Sequence, residues 1–197
     1  MDKHPFIVVE GIDGSGKTTL AKLLADLISA EYIKSPVGAI RKIRAYVDSR
    51  DPLARFLYYL ADNIETSLLV AETLKSKPVV CDRYILSTLL NHKAMGVDVD
   101  VASVNLLLLT QPQATVYLWA EEEEIVRRLK ARSGQRYDSH FEQDRPLQKK
   151  VHNLFCGTSN ITPFNTGEYN SEQMPALAAK IVRELGLNKR ATEQCER

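Results

Sequence analysis

Residues 11–19 read GIDGSGKTT, with the apolar run PFIVVE before them and LAKLLADLI after. The stretch fits G-x-x-x-x-G-K-[ST], a pattern suited to holding a nucleotide's phosphates. Gly11, Gly14 and Gly16 let the backbone turn so that successive N–H groups converge on phosphate oxygens. The start of the following helix adds partial positive charge. Lys17 reaches the β- and γ-phosphates, the Thr18 hydroxyl ligates Mg²⁺, and Ser15 and Thr19 complete the set. Asp13 is less usual, because a carboxylate here faces anions unless it meets Mg²⁺ or a hydroxyl on an acceptor. Its other reading is a residue that stiffens the loop by bonding local backbone N–H groups.

The terminal phosphate could pass to water or to a second substrate. A GTPase needs an N-K-x-D base-reading motif and a D-x-x-G switch. NKRA (188–191) lacks the Asp and DRYI (82–85) has no Gly. A motor or regulatory ATPase usually brings further domains, for which 197 residues leave little room. VVCDRY points to an acceptor instead. Asp82 ends a core strand, where a carboxylate can hold Mg²⁺ through water. Arg83 follows at the carboxyl end of the sheet, where α/β proteins bind ligands. A guanidinium there can clamp an acceptor's phosphate against the donor's; its alternative is a surface salt bridge.

Taken together, FIVVEGIDGSGKTTLAKLL and VVCDRYILSTL resemble the thymidylate kinase family of nucleoside monophosphate kinases. The likeness takes in the phosphate loop, SPVG, the long helix, the D-R-Y segment with Ser87 and Thr88, and a lid after RLKAR. It implies transfer of the γ-phosphate of ATP, with Mg²⁺, to the 5′-phosphate of dTMP, by a cytoplasmic homodimer. By the same resemblance Asp13 lies near the acceptor, and Asp82 with Arg83 forms the acid–arginine pair. Pro36 stands where the family has E-P-G-G, although Ser35 replaces the Glu. Arg44 matches an arginine on the acceptor phosphate, with Arg41 as rival because the alignment needs a gap. Tyr59 replaces a Phe that stacks on the base, and Asn63 replaces an Arg that reads its edge. Ser87 is kept, whereas Asn91 and His92 replace a Tyr-Gln pair. These departures gather on the acceptor base, so another or modified nucleotide, or a non-nucleotide metabolite, remains an alternative acceptor. Lid arginines would close over the transferring phosphoryl; Arg136 is the first choice, then Arg132, then Arg145. Asn165 and Thr166 would lie against adenine, or form an ordinary strand-to-helix turn.

The positioning elements follow from periodicity. FIVVE, EYIK, KPVVCD, ATVYLW and a strand within NITPFNTG alternate with helical stretches near 17–30, 39–47, 52–75, 86–95, 100–109, 121–132, 141–155 and 171–186. That alternation predicts a three-layer α/β/α P-loop NTPase fold with a five-stranded parallel sheet. A single domain over 1–197 is expected, with a lid at about 133–146. Net charge is +1, which speaks against a nucleic-acid partner or a membrane-surface protein. The chain shows no signal peptide and no spanning run. Cys81, Cys156 and Cys195 are odd in number and widely spaced, which suits the cytosol. The four histidines have no metal-ligand spacing, and His140 and His152 are expected to face solvent. Glu121–Glu124 read as a helix start paired with Arg127 and Arg128.

Overall fold

The computed structural model describes residues 4–98, 108–131 and 144–187. The expected helix near 100–109 falls almost wholly outside them. So do Arg132, Arg136, His140 and Cys195, and with them most of the expected lid.

Five parallel strands form one sheet: β1 (Phe6–Gly11), β2 (Glu31–Lys34), β3 (Val79–Asp82), β4 (Ala114–Trp119) and β5 (Thr162–Asn165), in the order β2-β3-β1-β4-β5. The helices are α1 (Lys17–Leu27), α2 (Arg44–Asp48), α3 (Pro52–Thr73), α4 (Ile85–Ala94), α5 (Glu122–Ala131), α6 (Arg145–Cys156) and α7 (Met174–Glu184). The period-2 alternation of β1 sorts the two cores. Ile7 and Val9 pack with Leu20 and Leu24 of α1 and with Leu177 and Ile181 of α7. Phe6 and Val8 pack on the other face with Phe56 and Val70 of α3 and Leu89 of α4. Every residue of β1 is buried, as a central strand covered on both faces requires. No helix among the described residues is long and apolar enough to cross a membrane.

Local sequence sets the helix starts. Asp51 accepts from the Leu53 N–H at 2.8 Å with Pro52 behind it, and Asp144 accepts from the Leu147 N–H at 3.0 Å ahead of Pro146. One expectation fails. His152 is not left to solvent, because α6 packs Phe155 flat against Tyr117 of β4 (4.4 Å, 14°) and so brings the imidazole to the Tyr117 hydroxyl, 2.8 Å from Nδ1.

The site follows from topology. β1 and β3 are neighbours in register, Val9 beside Asp82. The chain leaves β1 for α1 on one face and leaves β3 for α4 on the other. Their carboxyl ends therefore part and open a crevice.

Candidate active site

The phosphate loop closes where β1 ends. Gly11 has φ 151°, and a Cβ there would lie 2.3 Å from the Leu118 carbonyl oxygen. Gly16, at φ 87°, caps α1 without a side-chain hydrogen bond, so the first helical N–H groups stay open to an anion. Lys17 is buried; its Nζ donates to the Ile12 carbonyl at 2.6 Å and lies 3.5 Å from Asp13. Burial and then the nearby Arg83 guanidinium pull the Lys17 pKa down to about 8. Ser15 is fully buried beneath the loop, and Thr19 is exposed on α1.

The end of β3 supplies the facing wall. Asp82 Oδ2 accepts from Thr18 Oγ1 at 2.6 Å and from the Tyr32 hydroxyl at 3.1 Å, with Lys34 Nζ 3.6 Å away. Burial works against the charged Asp82, but Thr18, Lys17, Arg83 and Lys34 together hold its pKa low. Arg83 adopts φ 73°, a left-handed conformation unusual for a side chain of this size. That turn lets its N–H bond the Val9 carbonyl at 3.0 Å and aims the guanidinium into the crevice. There it donates to the Gly11 carbonyl (3.3 Å), to Ser87 Oγ (3.1 Å) and to Asp13. Burial would raise the Asp13 pKa, yet Arg83 and Lys17 outweigh it and hold it at about 2. The Asp13 carboxylate bonds Arg83, just beyond β3, and lies 3.5 Å from Lys17 of its own loop. Beneath them Glu10 is fully buried and accepts from the Tyr84 and Ser87 N–H groups and from the Ser87 hydroxyl. Its strand position hid it from the sequence reading, where it passed as the last residue of FIVVE.

The same cleft continues along α3 and α4, lined by Pro36, Arg44, Tyr59, Ser87, Asn91 and His92. Pro36 follows a cis peptide bond in a loop tied by Val37 N–H and the Ser35 hydroxyl to the buried Asp62. Arg44 Nε donates to the Tyr59 hydroxyl and to Asp48, each at 3.2 Å. Of the two rival arginines, Arg44 lines this cleft, whereas Arg41 lines a separate groove beside β2. Asn63 also departs from expectation. It is fully buried, donates to the Tyr59 carbonyl (2.6 Å) and to Thr88 Oγ1 (3.1 Å), and does not line the cleft. Four-residue steps along a helix drift by about 40°, so Arg55 and Tyr59 face the cleft while Asn63 has rotated inward. That spacing is also the signal that could have found Arg55, as the i,i+4 spacing from Arg44 could have found Asp48.

Asn165 and Thr166 lie outside the cleft lining. Asn165 Oδ1 accepts from the Gly167 N–H at 2.9 Å. Thr166 is fully buried, and its one hydroxyl hydrogen is shared between the Ser15 carbonyl at 3.0 Å and the Trp119 carbonyl at 3.1 Å. Arg128, read from sequence only as a partner of Glu124, donates to Thr166 Oγ1 (3.0 Å), to the Thr166 carbonyl (2.6 Å) and, at 3.5 Å, to the Gly14 carbonyl. The turn after β5 is thus bolted to the phosphate loop. Arg145 is engaged with Gln148 at the start of α6.

The family model described as thymidylate kinase matches residues 9–162. A probable thymidylate kinase of Methanococcus aeolicus is 34% identical over 164 residues, which cover 80% of this chain and 80% of the relative. Another, of Methanocaldococcus jannaschii, is 38% identical over 138 residues, 67% of this chain and 73% of the relative. Among solved structures, thymidylate kinase from Candida albicans has the same fold, with a TM-score of 0.71 at 23% identity over 92% of each chain. The family's sequence pattern runs from the phosphate loop to the last strand of the sheet just described, and the chain belongs to the thymidylate kinase family.

Proposed function

We propose that this protein transfers the γ-phosphoryl group of ATP to the 5′-phosphate of a nucleoside monophosphate, dTMP foremost. The observation that carries this reading is the joining of two stations in one cleft, with Lys17 and the phosphate loop at one end and Arg44 and Tyr59 at the other. Arg83 lines the same cleft, bonded to Asp13 of the loop and to Ser87 of α4. Lys17 and the loop N–H groups of Gly14–Thr18 hold the donor. Arg83 and Arg44 hold the acceptor phosphate against it, and Tyr59 offers its ring to the base. Asp13 keeps Arg83 and Lys17 aligned until phosphates engage them. Catalysis here is positioning and charge stabilisation, since phosphoryl transfer asks little covalent chemistry of the protein.

The donor set fits Mg²⁺. Thr18 and an ionised Asp82 offer a hydroxyl and a carboxylate 2.6 Å apart. No cluster of three His, Cys, Asp or Glu among the described residues forms a cage. A magnesium ion suits such a sparse set, drawing its remaining ligands from phosphate and water. When bound it would neutralise charge on the phosphate oxygens. Arg136 and Arg132 would close the site as a lid within the single domain, excluding water. Thr166 and Asn165 support the donor side through the turn they shape. The exposed apolar row Leu53, Leu57, Ile64 and Leu68 along α3 favours a homodimer, and we place the protein in the cytoplasm.

The test is ADP release from MgATP across the common ribo- and deoxynucleoside monophosphates. ADP should appear only when a monophosphate is supplied, fastest with dTMP. ATP hydrolysis indifferent to every monophosphate would exclude the proposal.

A further inference from the structure

β1 is apolar from Phe6 to Val9, yet its next residue, Glu10, is a fully buried acid. Period-2 alternation carries Phe6, Val8 and Glu10 to one face of the sheet, where Phe6 and Val8 pack with Leu89 of α4. Burying a carboxylate is costly, and a well-packed apolar side chain of similar volume is often as stable or more so. Stability alone therefore does not account for an acid at this position.

The partners of Glu10 show what it fixes. Tyr84 opens α4 with no side-chain cap of its own. Glu10 Oε1 takes that part from the neighbouring strand, accepting from the Tyr84 N–H at 3.0 Å and the Ser87 N–H at 3.2 Å. Glu10 Oε2 accepts from the Ser87 hydroxyl. That bond occupies the Ser87 hydrogen and leaves a lone pair for Arg83, whose guanidinium donates to Ser87 Oγ at 3.1 Å. Burial pushes the Glu10 pKa up, opposed by the Ser87 hydroxyl, by Arg83 and by the two N–H groups. One residue earlier on each segment, the Arg83 N–H bonds the Val9 carbonyl at 3.0 Å. Val9 and Glu10 together pin the turn in which Arg83 keeps its φ of 73°. Gly11, the first residue of the phosphate loop, comes next, and its carbonyl accepts from the same guanidinium at 3.3 Å.

We propose that Glu10 is the positioning residue of the acceptor clamp: acting through Ser87 and the start of α4, it sets where the Arg83 guanidinium stands relative to the phosphate loop. This rests on the kinase reading above. Glu10 does not line the cleft, so its effect on a substrate passes through the groups it holds. Among the described residues its carboxylate hydrogen-bonds Tyr84 and Ser87 alone. The loop N–H groups and Lys17, which hold the donor, are not among them. Withdrawing the carboxylate therefore slackens the grip on the acceptor phosphate and spares the donor. The requirement is for acceptor atoms at the right place: a glutamine side chain has the same reach, whereas aspartate keeps the charge and falls one methylene short.

The experiment is calorimetric titration of dTMP, and separately of MgATP, into the full-length protein and its Glu10→Asp, Glu10→Gln, Ser87→Ala and Glu10→Asp/Ser87→Ala variants. Turnover is assayed separately. In Glu10→Asp the Kd for dTMP should rise about tenfold or more, as when a charge-assisted phosphate bond is lost, while that for MgATP stays within about threefold. Glu10→Gln, whose amide oxygen still accepts from both N–H groups and whose NH₂ meets Ser87 Oγ, should keep both within about fivefold. Ser87→Ala, which removes only the hydroxyl, should weaken dTMP about fivefold and likewise spare MgATP. The double variant should match Glu10→Asp within about threefold, because both changes act on one guanidinium. MgATP weakened as much as dTMP in either single variant, Glu10→Gln weaker than Glu10→Asp, or effects that multiply in the double variant would overturn the proposal. The expected dTMP pattern in a protein that releases no ADP would instead count against the kinase reading alone.

Discussion

Arg127 and Arg128 are neighbours on α5 and look alike in sequence, yet truncating them should have very different results. Arg127 is 69% exposed along its side chain and bonds only Glu124, an exposed pair of the kind that contributes little. Arg128 is 18% exposed. Its guanidinium serves the Thr166 carbonyl at 2.6 Å, Thr166 Oγ1 at 3.0 Å, the Tyr169 carbonyl at 3.3 Å and the Gly14 carbonyl at 3.5 Å. Arg128→Met abolishes these together and leaves the carbonyl of the fully buried Thr166 with the Tyr169 N–H at 3.2 Å. Counting the two shortest bonds at about 1.5 kcal/mol each, as for charged donors, the loss is about 3 kcal/mol. For a chain of this length that lowers Tm by about 6–12 °C. Arg127→Met should leave Tm within experimental error. Because Thr166 also holds the Ser15 carbonyl, slackness there reaches the phosphate loop. Arg128→Met should therefore raise KM for ATP more than it lowers kcat. The assay is calorimetric unfolding in 0.05 and 0.5 M salt with steady-state kinetics beside it; the Arg128 effect should survive high salt, being partly buried. Equal Tm values for the two variants would refute the reasoning.

Three further outcomes follow from the geometry. Arg44→Ala should raise the acceptor KM by about 10- to 100-fold, the worth of a charge-assisted phosphate bond, while Arg41→Ala leaves it unchanged; the reverse order would move the acceptor site to the groove beside β2. ATP affinity should be flat below pH 8, where the free protein's Lys17 is protonated, and fall about tenfold per unit above it, since the ammonium is the binding form. A lysine with an ordinary pKa would keep affinity flat to about pH 10, and such a profile measured by titration would contradict the shift. Gly11→Ala should cost about 3 kcal/mol or more in denaturant unfolding, because its Cβ would lie 2.3 Å from the Leu118 carbonyl oxygen; a loss under about 1 kcal/mol would show that the loop can yield.

Much was legible because it is local or periodic. Alternation in FIVVE and ATVYLW and the 3.6-residue spacing of Leu20, Leu24 and their neighbours place strands and helices without reference to anything distant. A phosphate loop is a continuous stretch whose glycines and lysine act on one another within nine residues. Hence the parallel sheet and the family could be reached from the chain alone. What could not be read were contacts between residues far apart in sequence, where the decision belongs to packing. Asp13 meets Arg83 across 70 positions, and Arg128 meets Gly14 across 114. Asn63 departs from its expected part because its place on the turn of α3 is set by the packing around it. Sequence alignment matched Asn63 to a base-reading position, but helical drift carried its amide into the core and left Arg55 and Tyr59 on the wall. Sequence alone determined which residues were available and which local conformations they prefer; only the tertiary structure decided which side chains line the cleft and which are paired in the core, because burial and pairing are settled by the neighbours that folding brings.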